Sequence, residues 1–110
     1  MDDMEERFLR TVGAKYVCDM LKIISDKNCS AQMISKELNI PMASSYRKLN
    51  MLEDNKLIYC SKIIVNHSGN EEKFYGSLID DATIRFHEGI FSVELHQKEN
   101  CERIVKIWGD

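Results

Sequence analysis

The chain has no C-x-x-C pair. Its four cysteines, Cys18, Cys29, Cys60 and Cys101, are widely spaced, which argues against a zinc knuckle or a disulfide framework and makes reduced thiols the default. It also lacks a Gly-rich phosphate loop and an H-E-x-x-H motif, and its Ser, His and acidic residues form no local catalytic signature. No enzyme chemistry, cofactor or metal is called for. No apolar run approaches the length that crosses a bilayer, and the start, Met1-Asp2-Asp3-Met4-Glu5-Glu6, is acidic where a secretory signal is basic. A cytoplasmic protein without membrane contact is the expectation. Internal repeats, linkers and low-complexity segments are likewise missing.

What is present is an ordinary globular composition, 44% hydrophobic and 30% charged over 110 residues, enough for a single domain with one modest core. The net charge of -3 argues mildly against a nucleic-acid partner, because Lys and Arg usually supply most of that affinity by neutralising phosphates. The distribution modifies this. Residues 30 to 75 hold six basic and five acidic side chains, whereas the remainder holds nine basic and thirteen acidic, so the middle of the chain is slightly basic.

Met4, Phe8, Val12, Val17, Met20, Leu21 and Ile24 follow three-and-four spacing and predict a helix over residues 3–26, with Gly13 as a place where it bends or breaks. Ser30 offers an N-cap to a short helix over 31–38, and Asn39-Ile40-Pro41 ends it, since the residue before proline is pushed out of the α region. A third helix is predicted over 42–55, with Leu49 and Leu52 inward and Arg47, Lys48 and Glu53 outward. Asn55 is expected to supply the left-handed residue that closes it. The period then changes. Residues 58–77 read as a β-hairpin turning at Ser68-Gly69-Asn70, and residues 82–96 as a second hairpin turning at His87-Glu88-Gly89. Cys101, Ile104, Val105 and Trp108 then sit at i, i+3, i+4 and i+7, predicting a terminal amphipathic helix over 98–108.

Two short helices joined by a tight turn, the second followed at once by a hairpin, is the order of a winged helix-turn-helix. The expected fold is therefore α+β: a three-helix core with a β-hairpin wing, extended by a second hairpin and the terminal helix. In such a fold the helix beginning Met42-Ala43-Ser44-Ser45-Tyr46-Arg47-Lys48 has small residues at its leading end, which can enter a major groove, and its positive dipole end favours phosphate.

The segments Ser30 to Pro41, Ser44 to Leu49 and Leu52 to Ile58, with Glu72-Lys73-Phe74-Tyr75 in the place of a return strand, resemble the helix-turn-helix of arsenic-repressor-type regulators. They are especially similar to small archaeal winged-helix transcriptional regulators, over roughly residues 14–77. That resemblance implies a double-stranded DNA-binding regulator of transcription. Ala43, Ser44, Tyr46 and Arg47 match the positions that face the groove, Lys48 suits a phosphate, and Lys62 and Lys73 on the wing complete the candidate DNA-binding set. Ser45 stands where the family usually has an apolar core residue, and Lys56 where it commonly has glycine. Near the wing tip, residues 67–70, Glu71 and Glu72 repel a phosphate backbone.

Each of these residues also has a plainer reading. Arg47 contacts guanine or is a solvated arginine paired with an acid; Tyr46 meets sugar or phosphate or is a half-buried amphipathic side chain. His87, His96 and Cys101 make a scattered metal set, and Cys18 and Cys101 fall on apolar stripes as small core residues. The stripe Cys101, Ile104, Val105 and Trp108 either covers the second sheet or pairs with its symmetry mate, and a homodimer through terminal elements is the expectation. Two rivals stay open: a winged helix that binds protein instead of DNA, and a one-component regulator sensing an effector that the sequence does not identify.

Overall fold

Gly13 decides the first departure from the sequence pattern. In the computed structural model, which describes residues 3–98 and 105–108, the helix expected over 3–26 is two helices, α1 (Asp3–Val12) and α2 (Val17–Asp26). The Gly13 N–H still donates to Leu9 O at 3.0 Å, but the ladder then tightens, Ala14 N to Thr11 O at 3.2 Å, and Tyr16 turns left-handed at φ 70. That conformation costs an L-residue about 1–2 kcal/mol. It is offset by packing the two apolar faces separately, Phe8 from α1 and Val17, Met20 and Ile24 from α2. Cys18, expected in the core, is exposed on the re-phased α2, its thiol 3.2 Å from Val12 O.

The strand β1 (Cys29–Ser30) is only two residues long. Ser30 ends it and caps α3 (Ala31–Leu38), its hydroxyl accepting from Met33 N at 3.3 Å. Asn39 closes α3 in the left-handed region at φ 55, Ile40 is buried, and Pro41 leads into α4 (Met42–Asp54) with φ -61, a value suited to a helix start. At the far end Lys56, not Asn55, is left-handed, at φ 59. The Asn55 side chain is instead spent on Met51 O, to which Nδ2 donates at 2.8 Å.

The strands β2 (Ile58–Val65) and β3 (Glu71–Ser77) form the expected first hairpin. Its turn is fixed by Asn66, whose Oδ1 accepts from Ser68 N and Asn70 N, each at 3.0 Å, and by Gly69 at φ 82. β1 joins the free edge of β3, Cys29 opposite Tyr75 and Ser30 opposite Phe74.

On the other edge, β2 pairs in parallel with β6 (Val105–Trp108), Lys62 opposite Val105 and Val65 opposite Trp108. The helix predicted over 98–108 is therefore not found at its end: residues 105–108 are extended. The run Val105-Lys106-Ile107-Trp108 is β-branched and aromatic, and the open edge of β2 offers it a ladder that an isolated short helix would lack.

A second sheet of two strands, β4 (Ile79–His87) and β5 (Ile90–Gln97), is the second hairpin, longer than the 82–96 expected and turning through Glu88 and Gly89 at φ 51 and 79. It meets the body at its base, where Lys98 N donates to Leu78 O at 2.7 Å and Gln97 Nε2 to Lys56 O at 2.6 Å, and again midway along β5, where Val93 N donates to Glu5 Oε2 at 3.0 Å. The described residues are thus an α+β arrangement of four helices and two small sheets. Their core gathers Met20, Ile24, Ile34, Leu49, Leu52 and Ile58 between the helices and the first sheet. Among them, no helix is long and apolar enough to cross a membrane.

Candidate nucleic-acid interface

The helix α4 is held by one narrow face. Ser45, Leu49 and Leu52 are buried, and the helix packs on α3 and β2 through them. The opposite strip, Ala43, Tyr46, Arg47 and Asn50, is exposed at the i, i+3, i+4 and i+7 positions, with Ser44 and Lys48 half-buried on its flanks. In the leading turn Ala43 is exposed, Met42 and Ser44 are half-buried, and Ser45 is buried. The N-cap residue, Pro41, supplies no side-chain hydrogen bond, and the first turn has no acidic residue.

Arg47 leans back along the helix, with Nη2 3.4 Å from Ser44 Oγ. Among the described residues no carboxylate lies within ion-pair distance of Arg47 or Lys48. The plainer reading of Arg47 as the partner of an acid therefore finds no support. Glu53 and Asp54 stand at the opposite end of α4, which is about 20 Å long, so the negative charge is displaced from the leading turn.

The two lysines of the β2–β3 hairpin, Lys62 and Lys73, do not share a face. Lys73 is opposite Ile63 on the core side of the sheet, the side on which α4 lies. It is close enough to the Cys60 thiol to oppose the effects of burial and of Glu53, which together hold that thiol above its usual range. Lys62 is opposite Phe74, with its ammonium 4.7 Å from that ring's centre, on the outer side. The cause is a bulge at Ser61, which shifts the alternation so that Ile63 instead of Lys62 follows Cys60 inward. The structure thus brings Ala43, Ser44, Tyr46, Arg47 and Lys48 together on α4, sets Lys73 on their side of the sheet, and takes Lys62 away from them.

No protein-family model and no curated protein matches the chain.

The remaining candidates fare differently. His87 lies at the turn of the second hairpin opposite Ile90, and His96 near its base opposite Asp81, six residues or about 20 Å apart along the hairpin, so one ion cannot take both. His96 Nε2 instead sits 2.9 Å from Glu94 Oε1, and that hydrogen bond holds its pKa above the usual histidine range. Burial pushes up the thiol of Cys29, as it does that of Cys60, which makes both poor nucleophiles at neutral pH. Cys101 and Ile104 lie outside the described residues. Val105 and Trp108 belong to β6, so the helical stripe proposed as a dimer face is absent there.

Ser45, the polar residue at the expected apolar position, is fully buried, and its hydroxyl has no partner among the described residues. Ser45→Ala removes that unmatched group at almost constant volume. It is expected to raise stability by about 1 kcal/mol, which moves the thermal midpoint up by about 4 °C for a domain of this size. A lowered midpoint would show that the hydroxyl is in fact bonded.

Proposed function

We propose that the chain is a winged helix-turn-helix protein that binds duplex DNA as a homodimer and regulates transcription by occupying an operator. The observation that carries this reading is the exposed strip on the leading half of α4, Ala43, Tyr46 and Arg47. There a small-residue entry, Ala43 and Ser44, precedes Tyr46, Arg47 and Lys48, and no acid of the described chain neutralises them. The element order supports it as well: α3, a three-residue turn, α4, then the β2–β3 hairpin with β1 on its edge is a layout compatible with a helix-turn-helix and wing.

In this reading α4 lies in the major groove, Arg47 reads a guanine edge, and Lys48 meets a phosphate beside the uncapped helix end. Lys73 follows the backbone next to the groove. Lys62 makes no contact, because its ammonium covers Phe74 on the far side of the sheet. Two copies place two recognition helices about one helical turn apart on a pseudo-palindromic site, which compensates for the small surface that one module buries.

Titration of mixed genomic duplex fragments at increasing salt tests the reading. Affinity is expected to fall steeply between about 50 and 200 mM salt, as counterion release requires. Arg47→Ala is expected to weaken binding to a selected operator by about tenfold and to relax preference at one base position, with the melting midpoint unchanged. Equal loss on every sequence would make Arg47 a phosphate contact. No retention of DNA at low salt would sink the reading and favour a protein-binding winged helix instead.

A further inference from the structure

The second hairpin carries an apolar face that the chain covers only in part. Strand alternation places Ala82, Ile84 and Phe86 of β4 and Leu95, Val93 and Phe91 of β5 on one side, paired Ala82 with Leu95, Ile84 with Val93, and Phe86 with Phe91. The other side is mostly polar. Midway along and toward the base, Val93 and Leu95 are half-buried against the core, whereas Ile84 opposite Val93 is 46% exposed and, at the tip, Phe86 is 63% and Phe91 45% exposed. The two rings touch each other, their centres 4.6 Å apart, and both residues are exposed. A bare two-stranded hairpin is marginal in water, and an aromatic pair at its tip is a feature of contact surfaces rather than of free ones.

Beside the base of the same face, α1 and the hairpin enclose an open groove of about 660 Å³, with Met4, Phe8, Leu57, Val93 and Leu95 among its lining. Volumes of this order accommodate a drug-sized body, which makes the groove ample for two phenyl rings. The face also tapers, from two phenylalanines at the tip to alanine and leucine at the base.

We propose that this hairpin is the surface through which two copies of the chain pair, each aromatic tip seated in the groove between α1 and the hairpin base of the other copy. Opposed antiparallel across a two-fold axis, large end meets small end twice, and the axis passes near the Ile84–Val93 pair midway between them. Every copy holds both the plug and the socket, so a second copy satisfies both contacts at once, whereas an unrelated partner must bring a matching plug and a matching socket of its own. The area agrees. At about 200 Å² for a fully exposed large side chain, the uncovered parts of Met4, Ile84, Phe86 and Phe91 amount to about 450 Å² per copy. Doubled by symmetry this is about 900 Å², which with the groove walls approaches the roughly 1,200 Å² at which stable interfaces begin and suits a reversible pair.

This inference supplies an interface for the two-copy part of the reading above, and it is testable without DNA. Light scattering on the full chain across a dilution series is expected to give twice the chain mass, and Phe86→Glu/Phe91→Glu to give the single-chain mass with an unchanged far-ultraviolet circular dichroism spectrum. A wild-type chain that is monomeric throughout overturns the proposal, as does a folded double variant that remains a dimer. Cross-linking covers the case in which the double variant misfolds. With Cys18 and Cys101 replaced by serine, Ile84→Cys near the axis is expected to form an intermolecular disulfide under mild oxidation, and Thr83→Cys on the opposite side to form little. Equal yields from the two overturn the face assignment. A chain that dimerises in this way yet retains no duplex loses only the DNA reading, and one that binds duplex as a monomer loses only the pairing.

Discussion

Leu49→Ala is expected to lower stability by about 2.7–5 kcal/mol, the range for truncating a buried leucine that leaves a cavity. Leu49 is fully buried, and two features make its loss hard to absorb. The helix it anchors has little of its own to hold it: α4 begins without a side-chain cap, has no acid in its first turn, and carries its apolar contacts on a face one of whose buried positions is a serine. Short helices of this kind owe their stability to packing rather than to propensity. The neighbours Leu52, Ile34 and Ile58 are themselves fully or almost fully buried in the same core, so no mobile side chain stands ready to fill the space. With a denaturant slope of about 1–3 kcal/mol per molar urea, the unfolding midpoint moves down by one molar or more, measured at one fixed protein concentration. A change under about 0.5 kcal/mol, the size of an ordinary surface substitution, would place Leu49 outside the core and detach the exposed strip from its support. If α4 binds duplex as proposed, affinity measured where the variant is still folded is expected to drop as well, since Tyr46 and Arg47 stand on the helix that Leu49 anchors.

That helix was legible in the sequence because its limits have local causes. Ser30 is a cap, Asn39 tolerates the left-handed region, and Pro41 cannot continue the preceding helix, so α3, the turn and α4 follow from side-chain chemistry within a few residues. Both hairpins were legible for a similar reason: alternating β-branched and aromatic residues stop at Asn66–Asn70 and at Glu88-Gly89, where the backbone needs a turn. What escaped was decided at a distance. β1 is two residues whose only strand signal is the edge of β3 some 45 positions later. The end of the chain fits helical spacing and extended propensity equally well, and the unpaired edge of β2 resolves the ambiguity in favour of a strand. The side on which Lys62 lies depends on one extra residue at Ser61, a bulge held by Asn28 Nδ2 donating to Ser61 Oγ at 2.8 Å and by that hydroxyl donating to Phe74 O at 3.2 Å. Strict alternation from Cys60 assigns Lys62 to the core side, and no propensity within β2 announces the slip. The helix strip of the candidate site was therefore readable from sequence, but the side taken by each lysine of the β2–β3 hairpin was not.

The sheet that sets the angle of α4 is expected to weaken in strong alkali because of a single buried phenol. Tyr75 lies in the middle strand, opposite Cys29 on one side and Cys60 on the other, and is 2% exposed. Burial first, then the negative charge of Glu53 at the end of α4, pushes its pKa up from the ordinary 10 to about 12. Below pH 10 the phenol is neutral whether the chain is folded or not, and the stability it contributes is complete. Between pH 10 and about 12 the unfolded chain releases the proton while the folded chain keeps it, so stability falls by about 1.4 kcal/mol per pH unit, a total of about 2–3 kcal/mol. Above that window both states are ionised and no further loss comes from this group. Other tyrosines and the lysines titrate in the same range, so the useful quantity is a difference: urea midpoints of the wild type and of Tyr75→Phe, taken at steps across the window. The wild type is expected to lose stability faster than the variant throughout, with the gap growing as pH rises. Parallel curves would mean that Tyr75 ionises as readily folded as unfolded, and that the contact between the centre of the sheet and the far end of α4 is open to water.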